Sequence, residues 1–136
     1  MKVTYYSEPE LSPTGNGDEW VLLRDFYASI DSESGDAPVT FRIPAGSTTD
    51  LASVPRLPLA YSLFGGRGRR AAILHDYLYE HRYPREYADL AFREALRGEV
   101  PAWAGALMYG AVRVFGGRYY AEKVQAGPHP IDREAA

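Results

Sequence analysis

The spacing of apolar residues changes character near the middle of the chain. Over residues 1–46 they come in short runs rich in aromatic and β-branched side chains, divided by clusters of Pro, Gly, Asp and Ser. That is strand-and-turn patterning. Residues 2–6 (KVTYY) predict a first strand, and residues 8–19 a turn-rich connection carrying Pro9, Pro13, Gly15, Asn16 and Gly17. Residues 20–30 (WVLLRDFYASI) predict one longer strand. Residues 31–38 are polar and hold Gly35, which predicts a turn, with residues 39–43 (VTFRI) as the returning strand of a hairpin. Pro44, Ala45 and Gly46 close it, and Ser47, Thr48, Thr49 and Asp50 predict a polar loop.

The second half has helical spacing. Residues 69–81 predict a first helix and residues 85–97 a second, started at Pro84 and stopped at Gly98. Pro101 opens a third, expected to run to Phe115 and to end at Gly116 and Gly117. Strands first and helices afterwards predict an α+β fold, with a small antiparallel sheet packed against about three C-terminal helices. A chain of 136 residues fits one domain, drawn here as residues 1–125, with residues 126–136, holding Pro128 and Pro130, as a loose tail.

Composition narrows the function classes. The chain is 46% hydrophobic, enough for a core without covalent staples, and it has no cysteine, which excludes disulfides and thiolate zinc sites. Fifteen basic against eighteen acidic residues leave a net charge of −3, so general nucleic-acid binding is not expected. The opening MKVTYYSEPELSP has no apolar run of the kind a secretion signal needs. The most apolar stretch, residues 101–117, is short for a membrane span and contains Arg113, so it reads as a buried helix. Its stripe of Trp103, Leu107, Met108, Ala111, Val112 and Phe115 has core spacing; a part left uncovered would be an oligomer interface.

Candidate chemistry lies where polar groups interrupt this pattern. At about 100° per residue, Ala71, Ile73, Leu74, Tyr77 and Leu78 form one broad apolar face of the first helix, with Ala72, His75, Asp76 and Tyr79 on the other side. On the second helix Asp89 projects at the edge of an apolar face made by Ala88, Phe92, Ala95 and Leu96, with Arg85 and Arg93 one turn away as ion-pair partners. The run from Ser47 to Arg56 is dense in hydroxyls and carries Asp50 and Ser53.

Asp50, His75, Asp76 and Asp89 together make a histidine-and-carboxylate set suited to zinc, manganese or magnesium, which would activate water for hydrolysis. His75, oriented by a carboxylate, would alternatively serve as a general base, with Asp76, Asp50 and Tyr79 beside it. Arg56, Arg70 and Ser53 are the candidates for holding an anionic substrate. The competing reading is a buried hydrogen-bond network that fixes the helices against the loop. Gly65 to Arg70 (GGRGRR) has the backbone and charge for a phosphate but lacks a Walker lysine, and reads more simply as a basic surface loop.

The strings PAGSTTDLASVPR, AAILHDYLYE, ADLAFREAL and MYGAVRVFGG, in that order, resemble a family of uncharacterised tailed-phage and prophage proteins, a domain of unknown function. The resemblance spans residues 20–117, and its motif positions fall on Asp50, Ser53, Pro55, His75, Asp76, Tyr79 and Asp89. It implies a phage or prophage origin and carries no established reaction. Two functions are therefore open: a metal-dependent hydrolase acting on peptidoglycan or a phosphoester, or a non-enzymatic virion, tail-assembly or host-interaction protein with virion proteins or itself as partner. The expected location is the bacterial host cytoplasm, with incorporation into the virion. The HD pair is also superficially similar to the HD-type phosphohydrolases, but no histidine precedes His75 and the β-rich first half does not suit that all-helical fold.

Overall fold

The computed structural model describes residues 1–16, 19–50 and 68–125. The N-terminal half forms two three-stranded antiparallel sheets and the C-terminal half three helices, which makes the α+β class expected from the patterning. One sheet, ordered β1-β4-β5, comprises β1 (Lys2–Tyr5), β4 (Phe26–Asp31) and β5 (Val39–Ile43). The other, ordered β2-β3-β6, comprises β2 (Leu11–Pro13), β3 (Glu19–Leu22) and β6 (Thr48–Asp50).

Three expectations for the N-terminal half are corrected. The single strand over residues 20–30 is two strands in different sheets. The chain crosses between them at Leu23, Arg24 and Asp25, where Leu23 N–H bonds the Glu10 carbonyl and the Asp25 carboxylate accepts from Ala45 N–H. The polar loop after Gly46 begins as strand β6, held by pairing of Thr48, Thr49 and Asp50 with Val21, Trp20 and Glu19. Thr48 and Thr49 are β-branched and suit a strand, a signal hidden by the Gly, Ser and Asp around them until the pairing with β3 is in place. Leu11–Pro13, expected as turn, pairs with β3.

Alternation in the first sheet holds except at Ser29, which is buried and hydrogen-bonded to the Tyr6 hydroxyl. Phe26, Ala28 and Ile30 of β4 and Phe41 and Ile43 of β5 turn inward, while Tyr27, Thr40 and Arg42 turn out. Helix α1 (Arg69–Glu80) lies on this face, and its Leu74 and Leu78 are fully buried. Each such leucine contributes about 2 kcal/mol of burial. Gly68 caps α1 with φ 91°, and a side chain there would meet Leu96 at 3.0 Å.

Helix α2 (Arg85–Leu96) begins after Pro84 and ends at a turn whose Gly98 has φ 80°. Helix α3 (Ala102–Gln125) starts on the Pro101 carbonyl, as its sequence predicts, but runs straight through Gly116 and Gly117. A second core of Ala72, Phe92, Leu96, Met108 and Val112 joins the three helices. Among the described residues no helix is long and apolar enough to cross a membrane.

Candidate functional site

Helix α1 is covered on nearly all sides, so its polar strip is as buried as its apolar face: His75, Asp76 and Tyr79 are within the interior. Burial obliges each to find partners. Asp89 of α2, with no exposed surface, provides most of them. Its Oδ1 accepts from His75 Nε2 at 2.7 Å and from the Tyr79 hydroxyl at 2.6 Å. Its Oδ2 accepts from Arg113 Nη1 of α3 at 2.8 Å, with Arg85 Nε 3.7 Å away. One carboxylate therefore ties three helices together. The His75 ring packs against Tyr79 and Phe92, at centroid distances of 4.2 and 4.9 Å, and its Nδ1 is buried with no hydrogen-bond partner among the described residues.

Gly116 and Gly117 explain why α3 comes this close. A Cβ at Gly116 would meet the Tyr79 hydroxyl at 2.8 Å, and one at Gly117 would meet Arg85 Nη1 at 3.3 Å. The glycines are contact points inside a helix, not its end. Arg85 Nη2 lies over the turn before them and donates to the carbonyls of Val112 (2.9 Å) and Arg113. Tyr120 adds a hydrogen bond to the Tyr83 carbonyl at 3.0 Å.

The second polar contact lies on the sheet side of α1. Thr49 of β6 donates to Asp76 Oδ2 at 2.5 Å, both residues buried. They border a cleft also lined by Ser47, Thr48, Tyr77 and Glu80. Adjacent helical residues diverge by about 100°, so His75 turns to α2 while Asp76 turns to β6. Asp50 ends β6 opposite Glu19. Arg70 is engaged at the start of α1: its guanidinium contacts Glu99 at 2.6 Å and Glu8 at 3.1 Å and sits 4.5 Å from the centre of the Tyr5 ring. Ser53, Pro55, Arg56 and residues 65–67 of the basic loop lie outside the described residues, as does the 126–136 tail.

Burial alone would raise the Asp89 pKa, but the hydrogen bonds from His75, Tyr79 and Arg113 and the His75 charge outweigh it and hold the carboxyl below its usual range. Burial first, then the hydrogen bond and charge of Asp89, push the Tyr79 phenol well above its ordinary value. The same carboxylate, as hydrogen-bond partner, raises Arg113 further. Asp89 is thus an ionised acceptor among fixed donors. Of the four expected metal ligands, the described contacts unite His75 with Asp89; Asp76 is bonded to Thr49. Among the described residues no group of three or more His, Asp or Glu side chains is gathered as a metal site.

The sequence reading singled out His75, Asp76, Tyr79 and Asp89 but left two partners unassigned. Arg113 was visible as the lone charge in an apolar stretch, and a buried carboxylate one helix away is the usual reason for such a charge. Thr49, not a carboxylate, answers Asp76; nothing in the order of hydroxyls singles out which one would.

Neither the curated proteins nor the solved structures provide a match to this chain. A family profile described as "Protein of unknown function (DUF1353)" matches residues 20–112, which include all of β3 but its first residue, β4, β5, β6, α1 and α2, and most of the residues around Asp89. With more than half of its length matched, the chain belongs to the DUF1353 family.

Proposed function

We propose that this is a phage- or prophage-encoded protein, made in the bacterial host cytoplasm, that works by binding as a component of the virion or of its assembly. The phage origin is supported by the resemblance carried by TDLASVP and HDYLY. The preference for binding over catalysis is supported by one observation: Asp89 has no exposed surface and both its oxygens are taken by donors from α1 and α3. A carboxylate so saturated has little capacity left for a metal ion or an attacking water. The polar cluster then serves to hold the helices, and function falls to the surface. The test is to purify particles of the encoding phage and look for the protein in them, or for its co-purification with virion proteins. A strictly monomeric protein absent from particles would count against the reading.

The Nδ1 of His75, without a hydrogen-bond partner among the described residues, favours a second reading, a metal-dependent or general-base hydrolase. In a neutral ring with Nε2 donating to Asp89, Nδ1 would offer a lone pair, and a carboxylate behind a histidine is the usual support for a metal-bound or proton-accepting imidazole. Asp50 and Asp76 would supply further oxygen ligands, and Ser53 and Arg56 would meet a peptidoglycan or phosphoester substrate. Melting temperature measured with EDTA and with zinc, manganese or magnesium separates the two. A rise of several degrees with one metal, lost in His75→Ala and Asp89→Asn, would establish the second reading; no response supports the first.

A further inference from the structure

A cleft of about 180 Å³ opens at the elbow where α2 passes into α3, and it shares no residue with the groups around Asp89. Leu96, Val100, Gly105 and Ala106 give it apolar walls, and Arg93 and Arg97 border it. Two features of this cleft are not explained by the packing of the fold. Arg93 is the first. Its guanidinium lies 5.1 Å from the centre of the Tyr109 ring, and its Nη2 stands 3.6 Å from the Glu94 carboxylate, beyond hydrogen-bond reach. Its Nε is shut off from water and has no hydrogen-bond partner among the described residues. Glu94 also serves Arg97, at 3.1 Å, so one carboxylate answers two guanidiniums and a positive charge is left over at the rim. Gly105 is the second. It is buried in the first turn of α3, and a Cβ there would reach Val100 and Leu96 at 3.8 and 3.9 Å, which is ordinary contact. Packing therefore does not demand glycine, and alanine would make the better helix. What alanine would do is place a methyl group between two residues that line the cleft.

We propose that this cleft binds a monocarboxylate carried on a compact apolar body the size of a single ring. The volume sets the size: an apolar cavity of about 150 Å³ holds benzene, whereas sites for larger ligands start near about 300 Å³. The surplus positive charge selects an anion. A turn of the Arg93 side chain off the Tyr109 ring carries Nε and one Nη over the cleft, as the fork that matches a carboxylate. The walls decide which anion. Inorganic phosphate, charged on every side, would give up water against Leu96 and Val100 with nothing in return. A carboxylate with a hydrocarbon body turns its charge to the rim and its body to the walls. A free aromatic acid and the last residue of a partner protein present this same chemistry.

Nothing around Asp89 takes part, so the result does not depend on how that cluster functions. Sodium benzoate titrated into the full chain, followed by amide NMR, should bind saturably with Kd of about 1 mM and shift residues 93–106 first. Benzamide, the same shape without the charge, should bind at least about ten-fold more weakly. Arg93→Leu breaks no hydrogen bond among the described residues, so it should lose benzoate while keeping its melting temperature within a few degrees. Gly105→Ala should raise the melting temperature yet weaken benzoate several-fold, a combination that misfolding cannot produce. A short peptide ending in phenylalanine, with a free or an amidated carboxyl, separates the sources. Tighter binding of the free-acid peptide than of benzoate assigns the chain end of a partner; weaker binding assigns a free acid. No saturable binding by either acid, benzamide or phosphate as good as benzoate, or affinity untouched in both variants would overturn the site.

Discussion

Replacing Asp89 by asparagine exchanges one oxygen for an amide nitrogen and keeps the shape. The consequences follow from its three donors. Whichever way the amide turns, its NH2 meets a donor: His75 and Tyr79 on one side, or Arg113 and Arg85 on the other. Each charge-assisted bond lost is worth about 1.5–3 kcal/mol, and leaving one partner of a buried ion pair unpaired costs about 3–5 kcal/mol. Arg113 is partly exposed and recovers some hydration, so about 3–4 kcal/mol is expected for the whole change. In a chain of this size that lowers Tm by about 10–15 °C, read by circular dichroism at pH 7. The pH dependence has a definite sign. The native Asp89 pKa lies below the ordinary 3.8, so its contribution is full above the unfolded value and disappears as pH falls through the folded one. The gap between wild type and Asp89→Asn should therefore narrow as pH drops from about 5 towards 2. A difference under about 1 kcal/mol at neutral pH, or a gap that widens with acid, would refute the assignment of Asp89 as the ionised acceptor joining the helices.

Gly116→Ala should lower stability by about 1 kcal/mol or more, because its Cβ displaces the Tyr79 hydroxyl from Asp89; Gly110→Ala, with open space around it, should raise stability by up to about 1 kcal/mol in dilute protein. Chemical denaturation of the two variants reads both signs. Tyr5 carries a buried hydroxyl with no hydrogen-bond partner among the described residues, so Tyr5→Phe should leave stability unchanged or raise it, an outcome checked by the same unfolding curves. Burial, with Glu99 adding to it and Arg70 opposing, raises the Tyr5 phenol, and Tyr79 is raised as well. Both should remain protonated in an ultraviolet titration past pH 10 while exposed tyrosines ionise. Because those folded values exceed the unfolded one, native stability should fall as pH climbs above about 10.

The class of the fold and the positions of α1 and α2 could be read from the chain, since Pro84, Gly98 and Pro101 punctuate it by local geometry that acts alone. The sheets were less legible. Leu22 and Phe26 are both buried, and nothing local marks the crossing between them as a change of sheet; only pairing with β2 and β6 on one side and β1 and β5 on the other decides it. The far end of α3 misled for a related reason. Gly116 and Gly117 look like a stop to anything that sees only the chain, and become contact points once Tyr79 and Arg85 stand opposite them. His75, Asp76, Tyr79 and Asp89 stood out as polar groups on apolar helices. That His75 and Asp76 serve different partners follows from the turn of the helix, but which partners could not be inferred without the tertiary arrangement.

The way α3 is moored has a kinetic side. From Val112 onward its described contacts with the other helices join polar ties (Arg113 on Asp89, Arg85 on two carbonyls, Tyr120 on the Tyr83 carbonyl) to the edge-on packing of Tyr120 against Tyr79. Among the described side chains beyond Val112, Tyr120 alone packs against the core, and the segment otherwise depends on a few shared acceptors. Its backbone amides should consequently exchange with deuterium as one group, ahead of those in β4 and α1, and faster again at acid pH as Asp89 gains a proton. The last three turns of α3 would thus behave as a separately releasable unit of the molecule, peeling away and returning while the sheet and the first two helices stay folded.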